Sequence, residues 1–155
     1  MSDKRPPHSR HPAPTAHLAM REVLRVRVAF ADTDAMGVAW HGNYLRWFEM
    51  ARTEMMRPTE LPYPALVGRG IHLPVIEALV RYRQPARYDD LLIVHAGPVR
   101  ARGVRLRIDY RIECDARLIV DGHTEHAFTD AAGRVIRPPR DVQKVFAHLS
   151  GAHGG

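Results

Sequence analysis

The chain has 155 residues, 45% of them hydrophobic and 26% charged, and a formal net charge of +6. This size and composition are typical of one folded domain with a hydrophobic core. They exclude an internal disulfide, because Cys114 is the single cysteine. They also argue against a membrane-spanning helix, because no stretch approaches the roughly 18 apolar residues that such a helix needs. We therefore expect a protein of the reducing cytoplasm that does not insert into a membrane.

The two ends of the chain differ in composition from its middle. Residues 1–20 contain four prolines and three histidines without apolar periodicity, which predicts a disordered N-terminal tail and no signal peptide. Residues 150–155 are glycine-rich, which predicts a flexible C-terminal tail. The folded domain is predicted over residues 21–149.

The first two predicted elements are a strand and a helix. Alternating apolar residues predict a strand over residues 24–30, with Leu24 and Phe30 at the two ends of its buried face. A loop of small and acidic residues follows, and the helix is predicted over residues 43–57, where aromatic and aliphatic residues recur at helical spacing. Asn43 is its predicted N-cap, and its apolar character predicts that it is largely buried.

Four further strands are predicted in the second half of the chain, over residues 71–83, 91–99, 104–112 and 117–129. Pro74 cannot donate a sheet hydrogen bond, so the first of these strands is expected at an edge or with a bulge. A turn around Gly133 and a short closing helix over residues 141–149 complete the pattern. Because short connections favour antiparallel pairing, this order predicts an α+β fold, with a five-stranded antiparallel sheet wrapped around one long central helix.

Elimination narrows the chemistry that this domain can perform. The three serines, at positions 2, 9 and 150, all lie in the predicted tails or at their edge, which argues against a rigidly held serine nucleophile. Cys114 stands between Glu113 and Asp115, whose negative charges raise the pKa of a thiol and leave it unreactive. His123 and His126 are three apart in a predicted strand and point to opposite faces, so no metal is expected, and no glycine-rich phosphate loop or cofactor motif is present.

The loop before the long helix concentrates the remaining chemical groups. Asp32, Asp34 and His41 all lie within residues 30–44. Free backbone N–H groups at a helix N-terminus can stabilise the oxyanion of an attacked carbonyl, and a neighbouring carboxylate can attack that carbonyl or deprotonate a water. Aspartates are equally typical of turn caps, so the residues alone leave both interpretations open.

Several motifs in residues 28–57 occur together: Asp32-Thr-Asp-Ala-Met-Gly37, His41, Asn43-Tyr-Leu45 and Glu49-Met-Ala-Arg-Thr-Glu54. Weaker matches follow in Tyr82-x-x-Pro-Ala-Arg87-x-Asp-Asp90 and in the segment from His123 to Pro138. Together they closely resemble the hotdog-fold acyl-CoA thioesterases of the 4-hydroxybenzoyl-CoA thioesterase type, and most of all the bacterial subgroup found with the Tol–Pal cell-envelope system. The resemblance covers about residues 22–145.

The resemblance implies an enzyme that hydrolyses an acyl-CoA thioester to a free acid and CoA. Asp34 falls on the family's catalytic aspartate, acting as nucleophile or general base, and His41 falls on its partner histidine. A backbone N–H at the helix start falls on the family's oxyanion contact, and Asp32 on a structural position. Tyr44 and Trp40 fall on the substrate-binding wall, where the bulk of Trp40 implies a reshaped acyl pocket.

Arginines are the candidates for binding CoA phosphates, because the planar guanidinium suits phosphate and the only lysines are Lys4 and Lys144. The predicted phosphate contacts are Arg87, Arg100, Arg102 and Arg105, although each of them, taken singly, is more typical of a solvated surface charge. The resemblance also implies a homodimer or homotetramer that shares its sites between subunits.

Three alternatives to an acyl-CoA thioesterase remain at this point. One is a hotdog protein that binds acyl-CoA without catalysis, although the intact Asp34 argues against it, and another is an acyl-carrier-protein thioesterase. The third is a basic nucleic-acid-binding module. That module calls for exposed aromatic residues among the arginines, whereas the aromatic residues here fall mainly in the predicted helix and strands, so no nucleic-acid partner is expected.

Overall fold

The computed structural model describes residues 20–151, apart from the side chain of Pro98. Within these residues the chain forms β1 (Arg21–Arg27), α1 (Asn43–Met56), α2 (Tyr63–Gly68), β2 (Val75–Tyr82), β3 (Leu91–Arg102), β4 (Arg105–Cys114), β5 (Arg117–Ala127) and α3 (Arg140–Leu149). A short 3₁₀ helix, Phe30–Asp32, lies between β1 and α1. The predicted tails lie outside the described residues except for Met20, Ser150 and Gly151. No helix in the described range is long and apolar enough to cross a membrane.

The five strands form one antiparallel sheet in the order β1–β3–β4–β5–β2, which leaves β1 and β2 at its edges. Helix α1 packs on one face of this sheet, and its Trp47, Phe48 and Ala51 are completely buried. This arrangement confirms the predicted α+β fold, in which a five-stranded antiparallel sheet wraps around one long helix.

Strand β4 defines the inner and outer faces of the sheet. Its residues alternate strictly, so that Leu106, Ile108 and Tyr110 are buried while the intervening charged residues lie on the outer face. The ring of Tyr110 stacks on Phe48 of α1, with centroids 4.4 Å apart and planes inclined by 8°. Burying an aromatic side chain such as Phe48 contributes roughly 1.5–3 kcal/mol, so this contact anchors the helix to the centre of the sheet.

The start of the domain differs from its prediction. Strand β1 ends at Arg27, and Phe30, predicted on its buried face, is 77% exposed. The chain leaves the sheet after Val28, because the Asp32 carboxylate accepts a hydrogen bond from the Ala29 backbone N–H and closes the 3₁₀ turn. The predicted strand is therefore too long, and the prediction of a buried Phe30 is wrong.

The N-terminus of α1 also differs. Gly42 is its N-cap, and Asn43, the predicted N-cap, is the first helical residue. The Asn43 side-chain amide donates to the Asp32 carbonyl at 2.8 Å, which ties the helix start to the preceding loop. Arg57 caps the C-terminus, within one residue of the predicted end.

Strand β2 begins at Val75, directly after Pro74, and is shorter than predicted. It lies at the sheet edge and shifts register between Val75 and Glu77, which confirms both features predicted from the proline. The sequence did not predict α2, whose local signals are confined to Pro62 at its N-cap and Pro64 in its first turn.

Candidate active site

Asp32 organises the loop that precedes α1. Its carboxylate accepts the Ala29 N–H at 2.9 Å and pairs with Arg46 of α1 at 2.6 Å. Its carbonyl accepts hydrogen bonds from the Trp40 N–H and the Asn43 amide, each at 2.8 Å. Both ends of the loop are therefore tied to one residue, which gives Asp32 a structural role.

Asp34 lies at the tip of the same loop, in a tight turn. One carboxylate oxygen accepts the Met36 N–H at 2.8 Å, and its backbone bonds to Val38 and Gly37. Gly37 has a φ of 74°, a left-handed conformation that glycine adopts without strain. None of the described residues bonds to the second carboxylate oxygen of Asp34, so that oxygen is available for chemistry.

Two successive backbone N–H groups at the start of α1 are also available. The Asn43 N–H donates to the Trp40 carbonyl at 3.0 Å, whereas those of His41 and Gly42 have no acceptor in the described part of the chain. The macrodipole of the 14-residue helix α1 gives this end a partial positive charge. Such donors favour an anion or the developing negative charge of a carbonyl oxygen.

A cavity of about 270 Å³ opens where the loop, the start of α1 and the end of β2 meet. Its lining includes Asp34, Val38, His41, Tyr44, Tyr82 and Gln84. The structure thus brings three predicted site residues, Asp34, His41 and Tyr44, to one cavity. Burial raises the pKa of Tyr44, against the opposite effect of a hydrogen bond with the Ala86 backbone.

Tyr82 was not predicted as a site residue. Its hydroxyl donates to the His41 carbonyl at 2.9 Å, and its ring meets Tyr44 edge to face at 5.6 Å. Its signals in the sequence were its place at the start of the Tyr82-x-x-Pro-Ala-Arg87 motif and its position near the expected end of a strand. Because β2 ends at the loop, Tyr82 reaches the cavity although it lies 41 residues after His41 in the chain.

Trp40 and Arg87 lie beside the cavity. The Trp40 ring covers Gly42, so closely that a Cβ on that glycine would lie 2.3 Å from the ring, and it packs on the His41 ring with centroids 5.1 Å apart. Trp40 is not among the residues that line the cavity itself. The backbone of Arg87 forms a bridge with Val38, which places its exposed side chain next to the loop.

The other predicted phosphate contacts are not brought to this cavity within one chain. Arg102 and Arg105 face each other across the β3–β4 turn, and Arg100 lies two residues before Arg102. The loop of Asp34 bridges through Val38 to Arg87, before β3 begins, whereas Arg100 lies about 30 Å further along that strand at about 3.3 Å per residue. The arginine side chains also lie on the outer face, where Arg100 is 3.8 Å from Asp109 and Arg105 is 3.7 Å from Glu125.

Two larger clefts lie away from the loop, with volumes of about 600 Å³ beside the end of β3 and about 910 Å³ between β1 and α3. Two carboxylates that border the larger cleft, Glu54 and Asp141, are already paired with Arg57 and Arg69. Neither cleft is lined by Asp34 or His41. We therefore locate the candidate active site by its chemical groups and not by its volume.

The pKa of Cys114 is raised, as predicted, and His123 and His126 lie on opposite faces of the sheet, as their spacing predicted. Burial raises the pKa of the Cys114 thiol, and the carboxylates of Asp90 and Asp115 add to the effect. His126 faces α1, whereas His123 lies on the outer face, 3.2 Å from Glu77. Glu77, His123 and Glu125 form a group whose potential ligand atoms lie within 4.8 Å of one another.

A polar network is buried beneath α1, away from the cavity. Nδ1 of His126 lies 3.0 Å from the Arg52 guanidinium and 3.0 Å from the Leu73 carbonyl, and its Nε2 is 2.8 Å from the Thr124 hydroxyl. Burial lowers the pKa of His126 to about 4, with the positive charge of Arg52 adding to the effect and the Leu73 hydrogen bond opposing it. His126 is therefore neutral at pH 7.

A single long helix wrapped by a five-stranded antiparallel sheet defines a protein of the hotdog-fold class. Residues 28–146 match the family model of the thioesterase-like superfamily, and the chain belongs to that family.

Relatives and solved structures agree with this assignment. The chain is 30% identical over 126 residues to the acyl-CoA thioesterase YbgC of Haemophilus influenzae, an alignment that covers 80% of this chain and 93% of that protein. It is similar to the structure of the hypothetical protein TT1821 from Thermus thermophilus, with a TM-score of 0.79, 31% identity and coverage of 83% and 99% of the two chains. The DHNA-CoA thioesterase of Staphylococcus aureus gives a TM-score of 0.77 at 26% identity, with coverage of 83% and 89%.

Proposed function

We propose that the chain is an acyl-CoA thioesterase, with Asp34 as the catalytic carboxylate and the start of α1, at the backbone N–H of His41, as the oxyanion hole. One observation carries the proposal: Asp34 and His41 border the same cavity, and among residues 20–151 one carboxylate oxygen of Asp34 and the N–H of His41 have no hydrogen-bond partner. The acyl-CoA thioesterase activity in the name of the Haemophilus influenzae relative supports the same reaction.

Two routes are compatible with this arrangement. In the first, the Asp34 carboxylate attacks the thioester carbonyl carbon, CoA leaves as a thiolate, and water hydrolyses the mixed anhydride to regenerate the carboxylate. In the second, Asp34 takes a proton from a water that attacks the carbonyl, and this proton passes to the leaving sulfur. Both routes place negative charge on the carbonyl oxygen, which the preorganised N–H at the helix start stabilises. We assign His41 a supporting role on the cavity wall.

We also propose that the enzyme belongs to the 4-hydroxybenzoyl-CoA thioesterase type and to its Tol–Pal-associated subgroup. The motifs of residues 28–57 support the subgroup, and the DHNA-CoA thioesterase activity in the name of a structural neighbour supports including aromatic acyl groups among the candidate substrates. The predicted cytoplasmic location is consistent with the buried free thiol of Cys114.

A thiol-release assay tests the proposed reaction. The purified protein is offered short, long and aromatic acyl-CoAs and an acyl-carrier protein, and release of the free thiol is followed with time. We expect turnover of at least one acyl-CoA. Binding of acyl-CoA without thiol release would instead identify a non-catalytic binder, and release from the carrier protein alone would identify an acyl-carrier-protein thioesterase.

We further propose that the active form is a homodimer or homotetramer. The edge strand β2 supports this, because it leaves a row of backbone groups unpaired and exposes Val75 and Ile76 by 54% and 47%. If two β2 strands pair antiparallel about a two-fold axis, the β3–β4 turn of one chain lies at the Asp34 end of the other. The outer-face arginines of a partner would then join Arg87 near the CoA phosphates.

Light scattering combined with the thiol-release assay tests this assembly. We expect activity to elute with a dimer or a larger form. A monomer with full activity would refute the shared site, since no single chain brings the outer-face arginines to the cavity.

A further inference from the structure

Three potential metal ligands lie together on the outer face of the sheet, away from the candidate active site. Glu77 comes from β2, and His123 and Glu125 come from the neighbouring strand β5. The ligand atoms of these three side chains all lie within 4.8 Å of one another. None of the three residues lines the cavity beside Asp34, so the group is separate from the proposed reaction.

The pairing of β2 with β5 accounts for this grouping. Glu77 and Glu125 are direct partners in the register, and His123 lies two residues before Glu125, so all three side chains are on one face. Like charges directly opposite each other in an antiparallel pair are destabilising. Arg105 lies 3.7 Å from one oxygen of Glu125, whereas among residues 20–151 Glu77 has no ionic partner besides His123. With His123 neutral, the group therefore carries more negative than positive charge.

The imidazole of His123 is directed into the group. The residue is 7% exposed, and its Nε2 lies 3.2 Å from the nearer oxygen of Glu77. Within the part of the chain that the structure describes, no residue outside the group bonds to this ring. A nearly buried imidazole that faces two carboxylates and has no other partner is suited to bind a metal ion, since imidazole is the commonest metal ligand in proteins.

The spacing of the group suits a tetrahedral zinc ion. Zn²⁺ binds imidazole nitrogen at about 2.0–2.1 Å and carboxylate oxygen at about 2.0–2.2 Å, which places two tetrahedral ligands roughly 3.4 Å apart. The 3.2 Å between Glu77 and His123 is close to this value. Both glutamates have flexible side chains, and that of Glu77 is 60% exposed, so they can adjust to bring the third ligand to the same distance. Mg²⁺ and Ca²⁺ favour oxygen ligands, so the imidazole favours Zn²⁺ over them.

We infer that Glu77, His123 and Glu125 form a zinc site, with a water in the fourth tetrahedral position. The ion ties β2, an edge strand of the sheet, to its neighbour β5 and neutralises the two facing carboxylates. The sequence pattern led us to expect no metal because His123 and His126 point to opposite faces. Glu77 completes a different site from 46 residues before His123, a contact that no local pattern indicates.

Calorimetric titration of the metal-free full chain with ZnCl₂ tests this site. Glu77→Gln keeps the shape of the side chain and removes its charge, so it should weaken Zn²⁺ binding by at least about tenfold, the least that loss of a group supporting a metal ligand typically costs. His123→Gln should weaken it as well. Glu49→Gln is the matched control, because Glu49 is exposed on α1, at the other face of the sheet, and it should bind Zn²⁺ like the wild type.

The histidines within residues 1–20 are potential zinc ligands too, so the comparison between proteins is what counts. All the variants share these histidines, and a difference between wild type and Glu77→Gln therefore reports on the sheet alone. Thermal unfolding provides a second measurement. ZnCl₂ should raise the melting temperature of the wild type and of Glu49→Gln, because an ion that binds only the folded state stabilises it, and should raise that of Glu77→Gln less.

Three results would overturn the inference. Equal Zn²⁺ affinity in wild type, Glu77→Gln and His123→Gln would assign the binding to other residues, and no binding by the wild type would exclude a site. Competition by an equal concentration of Mg²⁺ would contradict the choice of metal. Because Glu77 is exposed, its variant keeps the test decisive even if His123→Gln fails to fold. The titration uses no acyl-CoA, so its result is independent of the proposed thioesterase activity.

Discussion

Asp32 and Asp34 stand two residues apart in one loop, and their hydrogen bonds give them different roles. Asp32 has both carboxylate oxygens engaged within the protein, while one oxygen of Asp34 remains unbonded among the described residues. The sequence identifies both aspartates as candidates, but their spacing alone does not separate a turn cap from a catalytic group. That distinction depends on Ala29 and Arg46, whose positions relative to Asp32 are set only by the folded loop.

Asp34→Asn tests the role of Asp34 directly. The variant keeps an oxygen for the Met36 N–H but loses the negative charge and the basicity, so turnover should fall by at least about a hundredfold. Asp89→Asn is the matched control, because Asp89 is exposed with a φ of 71°, a conformation that asparagine tolerates. Thiol-release kinetics compare the two, and wild-type turnover in Asp34→Asn would remove Asp34 from the mechanism. His41→Ala should reduce turnover less than Asp34→Asn does.

His126 makes the stability of the fold depend on pH. Its pKa is lowered to about 4 in the folded state, so between about pH 6.5 and 4 the unfolded chain binds a proton that the folded chain does not. The free energy of unfolding should therefore be highest above pH 6.5 and decline by about 3 kcal/mol as the pH falls to 4.

Denaturant unfolding at several pH values measures this decline. His126→Gln should flatten the pH dependence in that window, while His41→Gln, which removes an exposed histidine, should keep it. An unaltered slope in His126→Gln would assign the acid sensitivity to other groups.

Among the helices and strands, the sequence predicts best those segments whose contacts with the core repeat along their whole length. Strand β4 was clear in the sequence because one face is buried and the other charged along its whole length. The end of β1 was not clear in the sequence, because the apolar alternation continues to Phe30. In the structure the Asp32 carboxylate turns the chain out of the sheet before that residue. Helix α2 was missed because its six residues bury only Leu66 and thus carry no apolar periodicity.

Gly122 of β5 allows two neighbouring elements, β2 and α1, to approach β5 closely. A Cβ at this position would lie 2.1 Å from the Leu79 carbonyl oxygen of β2 and 3.2 Å from the Phe48 ring of α1. Gly122→Ala should therefore lower the free energy of unfolding by about 2 kcal/mol, since backbone must move to relieve the overlap. Gly68→Ala provides the control, because that helical position has open space and alanine favours a helix by up to about 1 kcal/mol. Thermal unfolding of both variants distinguishes a steric effect from a general effect of losing glycine.

For the whole molecule, the sequence predicts the number and order of strands but not their neighbours. Pairing of β1 with β3 and of β2 with β5 joins segments far apart in the chain, and no local pattern specifies it. This strand order places β2 at an edge of the sheet. It also places the loop of Asp34 at one end of the strands and the β3–β4 turn at the other. The predicted arginines of the β3–β4 turn are therefore separated from Asp34, a separation that their positions in the sequence do not indicate.

The separation of Asp34 from the β3–β4 arginines has a genetic consequence. If each active site takes its carboxylate from one chain and its outer-face arginines from another, two impaired variants can complement each other and recover activity. Asp34→Asn and a variant with Arg100, Arg102 and Arg105 changed to alanine should each be impaired alone. After unfolding and refolding together in equal amounts, random assembly into dimers with isologous symmetry should give about one quarter of the wild-type number of complete sites. Activity measured at limiting substrate should rise on co-refolding if the sites are shared, and should equal the average of the two separate variants if each chain works alone.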